Sequence, residues 1–526
     1  MHSQGISKIY YSLTHWHDFR LKLFGEGILI GLFVGIIIVL FRLLLEQVEE
    51  IRDTIFLYFQ SGHMLMTVVL FLGLIGIAKL LAYLVKVEPM SAGSGIPQVK
   101  GTILGLMKMK WLNVLICKFI GGVVAIGAGL SLGREGPSIQ LGATIGQGLS
   151  RSLSRTKIEE SYLITSGASA GLAAAFNAPL AGVIFSLEEL HKNFSPTVLM
   201  STVAAALTAS LVSQYFFGIN PIFNFTGLPI LPIRYYWYII ILGIIIGFLG
   251  FAFNRILIIT LNAYENQRTF TATEKAALPL IIAGILGFVL PQVLGGGNNL
   301  INELATTSFS LTILIILLIT KFFFTMLSYG SGVPGGIFLP MLVIGALSGS
   351  VFSHIAIQYG LLESAYGINL IVLSMAAYFS AVVKAPITGS ILIMEMTGSF
   401  SHMLPLIVVS MTSYLVADVL KSKPIYEELL ERSLSKQKKT FINVTTQKRV
   451  LLEVVVCKGS KLDGTQLKKI DWPPYSLVVS IKRGETELVP KGDTRIIAGD
   501  FLYVLTNVNQ VKPTKDLANL CNITKH

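Results

Sequence analysis

Apolar residues in this chain are concentrated in long windows that recur up to about Leu420. A helix of about 20 apolar residues spans a bilayer, so the pattern predicts repeated membrane segments. Several windows are short or interrupted by Gly and Pro, which favours a transporter or channel with half-helices over a bundle of simple spans. The predicted segments are 28–45, 64–85, 114–128, 196–217, 236–257, 277–294, 311–326, 338–357, 368–379 and 404–420.

The pattern changes after this membrane part. A basic, polar stretch at 421–448 is followed by short runs of alternating apolar residues, which predict strands. Turns containing Gly and Pro separate these runs, which are 450–456, 476–481 and 501–505. The sequence therefore predicts a membrane domain at 1–430, a linker at 431–447 and a small β-rich domain at 448–526.

The membrane part contains three pairs of similar segments, and the members of each pair are about 200 residues apart. The pairs are 93–96 with 295–298, 133–146 with 332–345, and 176–182 with 383–389. Chance similarity between Gly- and Pro-rich segments explains one such pair more easily than three in the same order. We therefore expect a duplicated unit, with the substrate bound where the broken helices of the two halves meet.

The composition agrees with a membrane protein. Of the 526 residues, 53% are hydrophobic and only 13% are charged, and the mean hydropathy is +0.69. A soluble protein would carry about a quarter charged residues. The expected fold is an all-α polytopic membrane protein with a duplicated unit and broken helices, plus a small α+β or β-rich cytoplasmic C-terminal domain. The three cysteines lack the spacing of a metal site or a disulfide framework.

The positive charge indicates an orientation in the membrane. Much of the net charge of +12 lies in the N-terminal segment and in the tail after Val419. Lys and Arg that flank membrane segments face the cytoplasm, so we expect both termini to be cytoplasmic. Residues 1–22 lack a cleavable signal and are predicted to form an amphipathic segment on the inner membrane surface. A nucleic-acid-binding tail is disfavoured because the tail predicts β structure rather than a basic helix.

Glu135 is the most informative residue, because it lies in a Gly-Arg-Glu-Gly-Pro loop between apolar segments. An ionisable group at membrane depth is costly and usually marks an ion or proton path. The glycines leave backbone N–H groups free, and the sequence after Pro137 predicts a helix N-terminus, which attracts anions. A carboxylate there occupies the anion site until protonation releases it. The alternative, a surface ion pair between Arg134 and Glu135, is less consistent with the small apolar flanks.

Two further glycine-rich segments fit the same chemistry. In 93–97 the Ser94 hydroxyl is a donor for an anion, although Gly-Ser-Gly is also common in ordinary loops. In 332–340 the N–H groups of Ile337 and Phe338 are predicted to begin a helix and to face an anion, with a purely structural helix break as the alternative. Three helix starts without a dedicated cation suit a halide, which must bind firmly enough to enter and weakly enough to leave.

The segments 93–97, 133–137 and 332–340 resemble, in the same order, the three signature segments of the CLC chloride channel and transporter family. The similarity covers residues 24–435. It implies an inverted-repeat helical fold and a homodimer with a separate pore in each subunit. Glu135 is implied to be the external gate, which alternates between an anion site and a protonated outward position. The implied chloride ligands are the hydroxyls of Ser94 and Tyr426 and the amides of Arg134, Gly136, Ile337 and Phe338.

The resemblance also bears on the type of transport. Family members divide into passive channels and chloride/proton antiporters, and in the antiporters a second carboxylate near the cytoplasmic face relays protons. The matching position here is Glu189, for which a structural carboxylate at a helix end is the alternative. The presence of both Glu135 and Glu189 favours the antiporter. Ser94 argues against the nitrate-preferring relatives, which carry proline at this position.

The tail differs from the paired CBS domains of the commonest eukaryotic relatives. It is similar to a TrkA C-terminal (RCK-C) domain in the segments 459–464, 481–485, 489–493 and 499–502. Such domains regulate bacterial transporters and bind small ligands or pair with one another. The resemblance implies a prokaryotic protein with a regulatory tail, and a dimerisation or stabilising role is equally compatible.

The sequence therefore predicts a dimeric, proton-coupled chloride antiporter of the bacterial inner membrane, with Glu135 as gate and Glu189 as inner proton relay. The expected substrates are chloride and H⁺, with a small-molecule ligand for the tail and with no cofactor, metal or nucleic acid. The alternative is a passive chloride channel gated by voltage or pH. A membrane enzyme acting on phosphates would need the Gly-Lys-Ser/Thr ending of a phosphate loop, which the motif at 133–137 lacks. A ligand sensor would leave the buried carboxylates unexplained.

Overall fold

The computed structural model describes residues 3–60, 64–192, 195–223, 225, 228–267, 269–440, 449–472, 476–484 and 486–507. Within them, seventeen helices and four strands are formed. The chain divides into two compact units, Met1–Leu434 and Ser435–His526.

The first eight helices are α1 Ser3–Gln60, α2 Met64–Val87, α3 Ile96–Ile103, α4 Trp111–Gly127, α5 Glu135–Ser152, α6 Lys157–Phe176, α7 Pro179–Phe185 and α8 Pro196–Phe217. The nine that follow are α9 Tyr236–Asn266, α10 Ala272–Val289, α11 Asn298–Thr306, α12 Leu311–Gly330, α13 Phe338–Gln358, α14 Gly367–Val383, α15 Pro386–Thr397, α16 Met403–Val419 and α17 Ile425–Thr440.

Each of the ten predicted apolar segments overlaps one of these helices. The segment 277–294 extends past its helix, because Pro291 begins a separate 3₁₀ turn. Among the described residues, nine helices are long and apolar enough to cross a membrane. Helix α1 is continuous from Ser3 into the first apolar segment, so the expected N-terminal surface segment is not a separate helix.

Helices α5 and α6 were not predicted as membrane segments, because Gly, Ser and Thr keep their hydropathy low. The structure shows what these small residues do. A Cβ atom on Gly142 would collide with the carbonyl oxygen of Gly167, and a Cβ on Gly167 would collide with that of Gly142. The two backbones are therefore in direct contact, as small residues permit in membrane helices. A Gly142→Ala substitution would force the two helices apart.

The two halves of the membrane unit cap each other's helices. Glu188 Oε2 accepts from the N–H and the hydroxyl of Thr388 at the start of α15, at 2.8 and 2.6 Å. In return, the two carboxylate oxygens of Glu395 accept from the N–H groups of Leu180 and Ala181 at the start of α7, at 3.1 and 2.7 Å. A negative group at a helix N-terminus is stabilising. Such reciprocal contacts are the signature of a two-fold relation between the halves.

A second structural feature, a buried lysine that donates to loop carbonyls, is also repeated in the two halves. Lys118 on α4 and Lys321 on α12 are fully buried, and each donates to two carbonyls in the loop before a short helix. The acceptors are Ser91 and Gly93 for Lys118, and Val293 and Gly295 for Lys321. Each loop ends in a left-handed glycine, Gly95 at φ +94° and Gly297 at φ +95°, which only glycine adopts without strain. The repeat predicted from sequence is therefore present in the structure.

The second unit contains an antiparallel sheet in the order β1-β4-β2-β3. Its strands are β1 Arg449–Val455, β2 Leu477–Arg483, β3 Thr486–Leu488 and β4 Phe501–Asn507. The three predicted strands are confirmed, whereas β3 was missed because three residues show no alternation. Directly before β4, the buried Asp500 accepts two hydrogen bonds of 2.8 Å from the guanidinium of Arg483 at the end of β2. The core residues are Val456, Leu462, Leu467, Ile481, Ile496, Leu502 and Val504.

Candidate functional site

Backbone hydrogen bonds join the three glycine-rich segments. Gly93 donates to the carbonyl of Val333 at 3.1 Å, and Gly335 donates to that of Gly93 at 3.0 Å. Gly133 and Gly336 exchange two further bonds of 2.7 and 2.9 Å. The starts of α3, α5 and α13 are therefore held at one place, as the sequence predicted.

The three helix starts supply backbone donors. Helix α3 begins at Ile96, just after Ser94, and α13 begins at Phe338, as expected. Helix α5 begins at Glu135 rather than after Pro137, so the proline lies in the first turn, where its missing N–H is not needed. First-turn N–H groups have no acceptor within their own helix. They are thus available to an anion.

Two glycines bring the side chains of the site close to these starts. A Cβ on Gly136 would collide with the Ser94 hydroxyl and lie 2.7 Å from the Ser94 carbonyl oxygen. A Cβ on Gly133 would collide with Oε2 of Glu135 and lie 3.0 Å from the amide nitrogen of Leu339. The Ser94 hydroxyl therefore lies against the start of α5, and the Glu135 carboxylate lies beside the start of α13.

Three of the predicted site residues have buried polar atoms without a hydrogen-bond partner among the described residues. They are the hydroxyls of Ser94 and Tyr426 and both carboxylate oxygens of Glu135. Ser94 is 1% exposed, and the other two are fully buried. Buried polar groups are normally hydrogen-bonded, so hydroxyl donors left without an acceptor fit an anionic ligand. The Glu135 carboxylate makes no hydrogen bond of good geometry to a described residue, but the backbone N–H groups of Glu135 and Leu339 face it.

Arg134 precedes α5 and is largely buried. Its Nη1 lies 3.9 Å from Oε1 of Glu46 on α1, whereas the side chain of Glu135 points into the interior. The alternative of an Arg134–Glu135 surface ion pair is therefore wrong. The amides of Arg134 and Gly136 belong to the turn that carries Glu135.

The start of α13 is enclosed by aromatic rings. Ile337 and Phe338 are fully buried. The ring of Phe338 packs against those of Phe176, Phe185 and Phe379, with centroids 5.5, 6.1 and 4.9 Å away. Backbone N–H dipoles act more strongly in such a dry environment than in water. The amides of Ile337 and Phe338 are therefore well placed to stabilise a small anion.

Tyr426 lies in the first turn of α17, so the start of a fourth helix contributes to the site. The segment before it is fixed by Asn254 on α9, which donates to the Ser422 hydroxyl and to the Lys423 carbonyl, both at 3.2 Å. Tyr426 lies within electrostatic range of both Glu135 and Glu189. The hydroxyl thus links the region of the gate to the region of the second carboxylate.

Glu189 is 2% exposed and lies in the single π-helical turn Ser186–His191 that follows α7. Its Oε1 forms an ion pair of 2.8 Å with Nζ of Lys100 on α3. Nζ of Lys100 also lies 3.4 Å from Oε1 of Glu427, which in turn pairs with Lys192. π-Helical turns are rare and often found at functional sites.

Sequence reasoning missed two lysines of this region. Lys118 holds the carbonyls of the loop before Ser94, and its signal was a lone cation inside an apolar helix at the repeat position of Lys321. Lys100 resembled an ordinary cation at a membrane boundary. Among the described residues, no group of His, Cys, Asp and Glu is placed to hold a metal ion.

Sequence comparisons agree with this geometry. The profile of the voltage gated chloride channel family matches residues 76–418, and that of the TrkA-C domain matches residues 451–519. The H(+)/Cl(-) exchange transporter ClcA of Salmonella paratyphi B is 37% identical over 365 residues, which are 67% of this chain and 76% of the relative. The transporter of the same name from Vibrio parahaemolyticus is 34% identical over 423 residues, 78% of this chain and 89% of the relative.

Solved structures give the same result. A slow cyanobacterial Cl-/H+ antiporter superposes with a TM-score of 0.76 and 32% identity, covering 79% of this chain and 99% of the antiporter. A eukaryotic CLC transporter shares the fold, with a TM-score of 0.68 and 23% identity over 78% of this chain and 74% of its own. The chain, a multi-pass membrane protein with a TrkA-C domain, therefore belongs to the voltage-gated chloride channel (CLC) family.

Proposed function

We propose that this protein is a chloride/proton antiporter, which moves Cl⁻ and H⁺ in opposite directions across the bacterial inner membrane. The observation that carries the proposal is the pair of buried carboxylates, Glu135 and Glu189, with the Tyr426 hydroxyl in electrostatic range of both. The relatives named H(+)/Cl(-) exchange transporters and the cyanobacterial antiporter support it. The substrates are the two ions, and no cofactor is needed.

Chloride occupies a central position, where the hydroxyls of Ser94 and Tyr426 and the amides of Ile337 and Phe338 donate to it. Ionised Glu135 competes for the adjacent outer position, lined by the amides around Gly136, because a carboxylate is itself an anion at a helix start. When Glu135 takes up a proton it loses its charge, leaves that position and admits chloride. Each ion therefore requires a different state of the same side chain.

The proton exchanges with the cytoplasm through Glu189. A carboxylate is the natural carrier because it holds one proton and releases it within the same small region. An apolar, buried surrounding prevents the proton from escaping along the way. Glu135 and Glu189 are thus the two ends of the proton route, and the chloride route does not require Glu189.

The same proposal includes a homodimer with one pore in each subunit. Helices α7 and α8 of the first half and α15 and α16 of the second half expose large apolar side chains. Exposed apolar patches of this kind mark interfaces with protein or lipid. Among them are Leu180 at 51%, Leu211 at 66%, Ile387 at 51% and Leu415 at 55% exposure. Both termini face the cytoplasm, where the TrkA-C domain binds a small-molecule ligand.

The test is proton uptake by purified protein in liposomes under an imposed chloride gradient, with the voltage clamped by a potassium ionophore. Chloride should drive protons uphill in the unmodified protein. Glu135→Gln should abolish proton movement and gating, and Glu189→Gln should abolish proton movement while chloride flux continues. Chloride flux without uphill protons in the unmodified protein would make this a passive channel. Uphill protons in Glu189→Gln would refute the proton route.

A further inference from the structure

Glu189 is the innermost member of a chain of alternating charges. Its side chain is 3% exposed, and that of its partner Lys100 is 4% exposed. The next members are more accessible, with Glu427 at 35% and Lys192 at 47%. The chain therefore runs from a buried carboxylate to a solvated ammonium group, and every neighbouring pair has opposite signs.

We propose that Lys100 is a positioning residue that holds Glu189 in a buried ion pair and so sets the rate of proton exchange at the inner end of the route. This inference rests on the proposed antiport. A proton that arrives on Glu189 neutralises it and leaves the Lys100 ammonium group buried without its closest partner. An unpaired buried charge is costly, so the relay step is slow while Lys100 stays in place.

The structure also contains a second carboxylate that can pair with the Lys100 ammonium group. Oε1 of Glu427 lies 3.4 Å from the Lys100 ammonium group, compared with 2.8 Å for Glu189. A small movement of one side chain thus transfers Lys100 from the inner carboxylate to the outer one while Glu189 receives the proton. The groups that face Glu189 in this step are Lys100 from α3, Tyr426 and Glu427 from α17, and Lys192 after the π turn.

The first experiment measures the initial rate of chloride-driven proton uptake in liposomes. Lys100→Gln removes the charge and should raise the rate about tenfold, equivalent to about 1.4 kcal/mol, with an unchanged exchange ratio. Lys100→Arg keeps the charge and should restore the slow rate. Glu427→Gln removes the alternative acceptor and should lower the rate about threefold. Lys110→Gln, which removes an exposed charge at the start of α4, is the matched control and should leave the rate unchanged.

Two outcomes would overturn the inference. A slower or uncoupled Lys100→Gln would mean that the ammonium group assists proton transfer instead of restraining it. An equal rise in Lys110→Gln would indicate a general effect of net charge. Should Lys100→Gln not fold, the two other variants decide the question, since Glu427→Gln should lower the rate about threefold and Lys100→Arg should match the unmodified rate.

A second measurement does not depend on transport. The unfolding midpoint in detergent is compared for Glu189→Gln, Lys100→Gln and the double variant. An ion pair predicts that each single variant lowers the midpoint and that the double variant recovers part of the loss. Strictly additive losses would refute the ion pair itself. If the unmodified protein moves no protons uphill, the proposed antiport fails, and this cycle still reports whether Lys100 and Glu189 are coupled.

Discussion

The reciprocal helix caps predict that the same substitution, glutamate to glutamine, has different effects on stability at two positions. Glu188 and Glu395 occupy corresponding positions in the two halves, yet they accept hydrogen bonds differently. Glu395 uses one oxygen for Leu180 and the other for Ala181. Glu188 uses Oε2 alone for both bonds to Thr388. A glutamine retains one acceptor oxygen and replaces the other with a donor, so the two substitutions should have unequal costs.

The size of the difference follows from the geometry. In Glu395→Gln the remaining oxygen best serves Ala181, whose bond is shorter and more buried, and the more exposed N–H of Leu180 loses its acceptor. That loss costs roughly 1 to 2 kcal/mol, at the low end for an unsatisfied donor because the site is accessible. Loss of the negative charge at the helix start adds about 0.5 kcal/mol. In Glu188→Gln both hydrogen bonds survive, so only the charge contribution of about 0.5 kcal/mol remains.

Thermal unfolding of the purified protein in detergent, followed by helical circular dichroism, measures both variants against the unmodified chain. We expect the midpoint to fall by about 2 °C in Glu395→Gln and by less than about 1 °C in Glu188→Gln. Alanine variants at both positions remove all four hydrogen bonds and serve as controls, with similar, larger losses. Equal losses in the two glutamine variants, or a larger loss in Glu188→Gln, would refute this account of the caps.

Three further predictions follow from the site and the tail. Ser94→Ala should weaken chloride binding about tenfold by calorimetry, because a hydrogen bond to a charged group contributes about 1.5 kcal/mol. Lys118→Met and Lys321→Met should both lower the unfolding midpoint, but only Lys118→Met should also weaken chloride binding, because only its loop carries the anion ligand. In the tail, burial raises the pKa of the Asp500 carboxyl, but hydrogen bonds from Arg483 and from a backbone amide outweigh it and hold that pKa below its usual value. The resulting stability is present above the unfolded pKa of about 3.9 and is lost as the pH falls through the folded value. Hydrogen exchange of β4, corrected for the intrinsic rate, should show this loss, and Asp500→Asn should abolish the pH dependence and lower protection by about 2 kcal/mol at neutral pH.

The membrane helices could be predicted where hydrophobicity alone drives their formation. Helices such as α2 and α8 expose apolar side chains along much of their length, so the sequence must be apolar throughout. Helices α5 and α6 are buried against each other, and Gly142 and Gly167 are selected for size rather than hydrophobicity. A hydropathy window does not detect that requirement.

The candidate site was predictable to the extent that it depends on backbone. Gly and Pro mark helix starts locally, so Ser94, Glu135 and Phe338 could be assigned from short motifs. The ion pair between Lys100 and Glu189 joins residues on different helices, 89 positions apart, and no local pattern relates them. The reciprocal caps of Glu188 and Glu395 were missed for the same reason.

The hydrogen bonds between Gly93 and the segment around Pro334, and between Gly133 and Gly336, also constrain when the site forms. Each joins positions some two hundred residues or more apart in the chain. During synthesis, the first two glycine loops reach the membrane long before their partner emerges from the ribosome. Closing so large a loop is slow and entropically costly. A nascent chain that contains only the first half therefore has no assembled anion site and cannot form a partial pore.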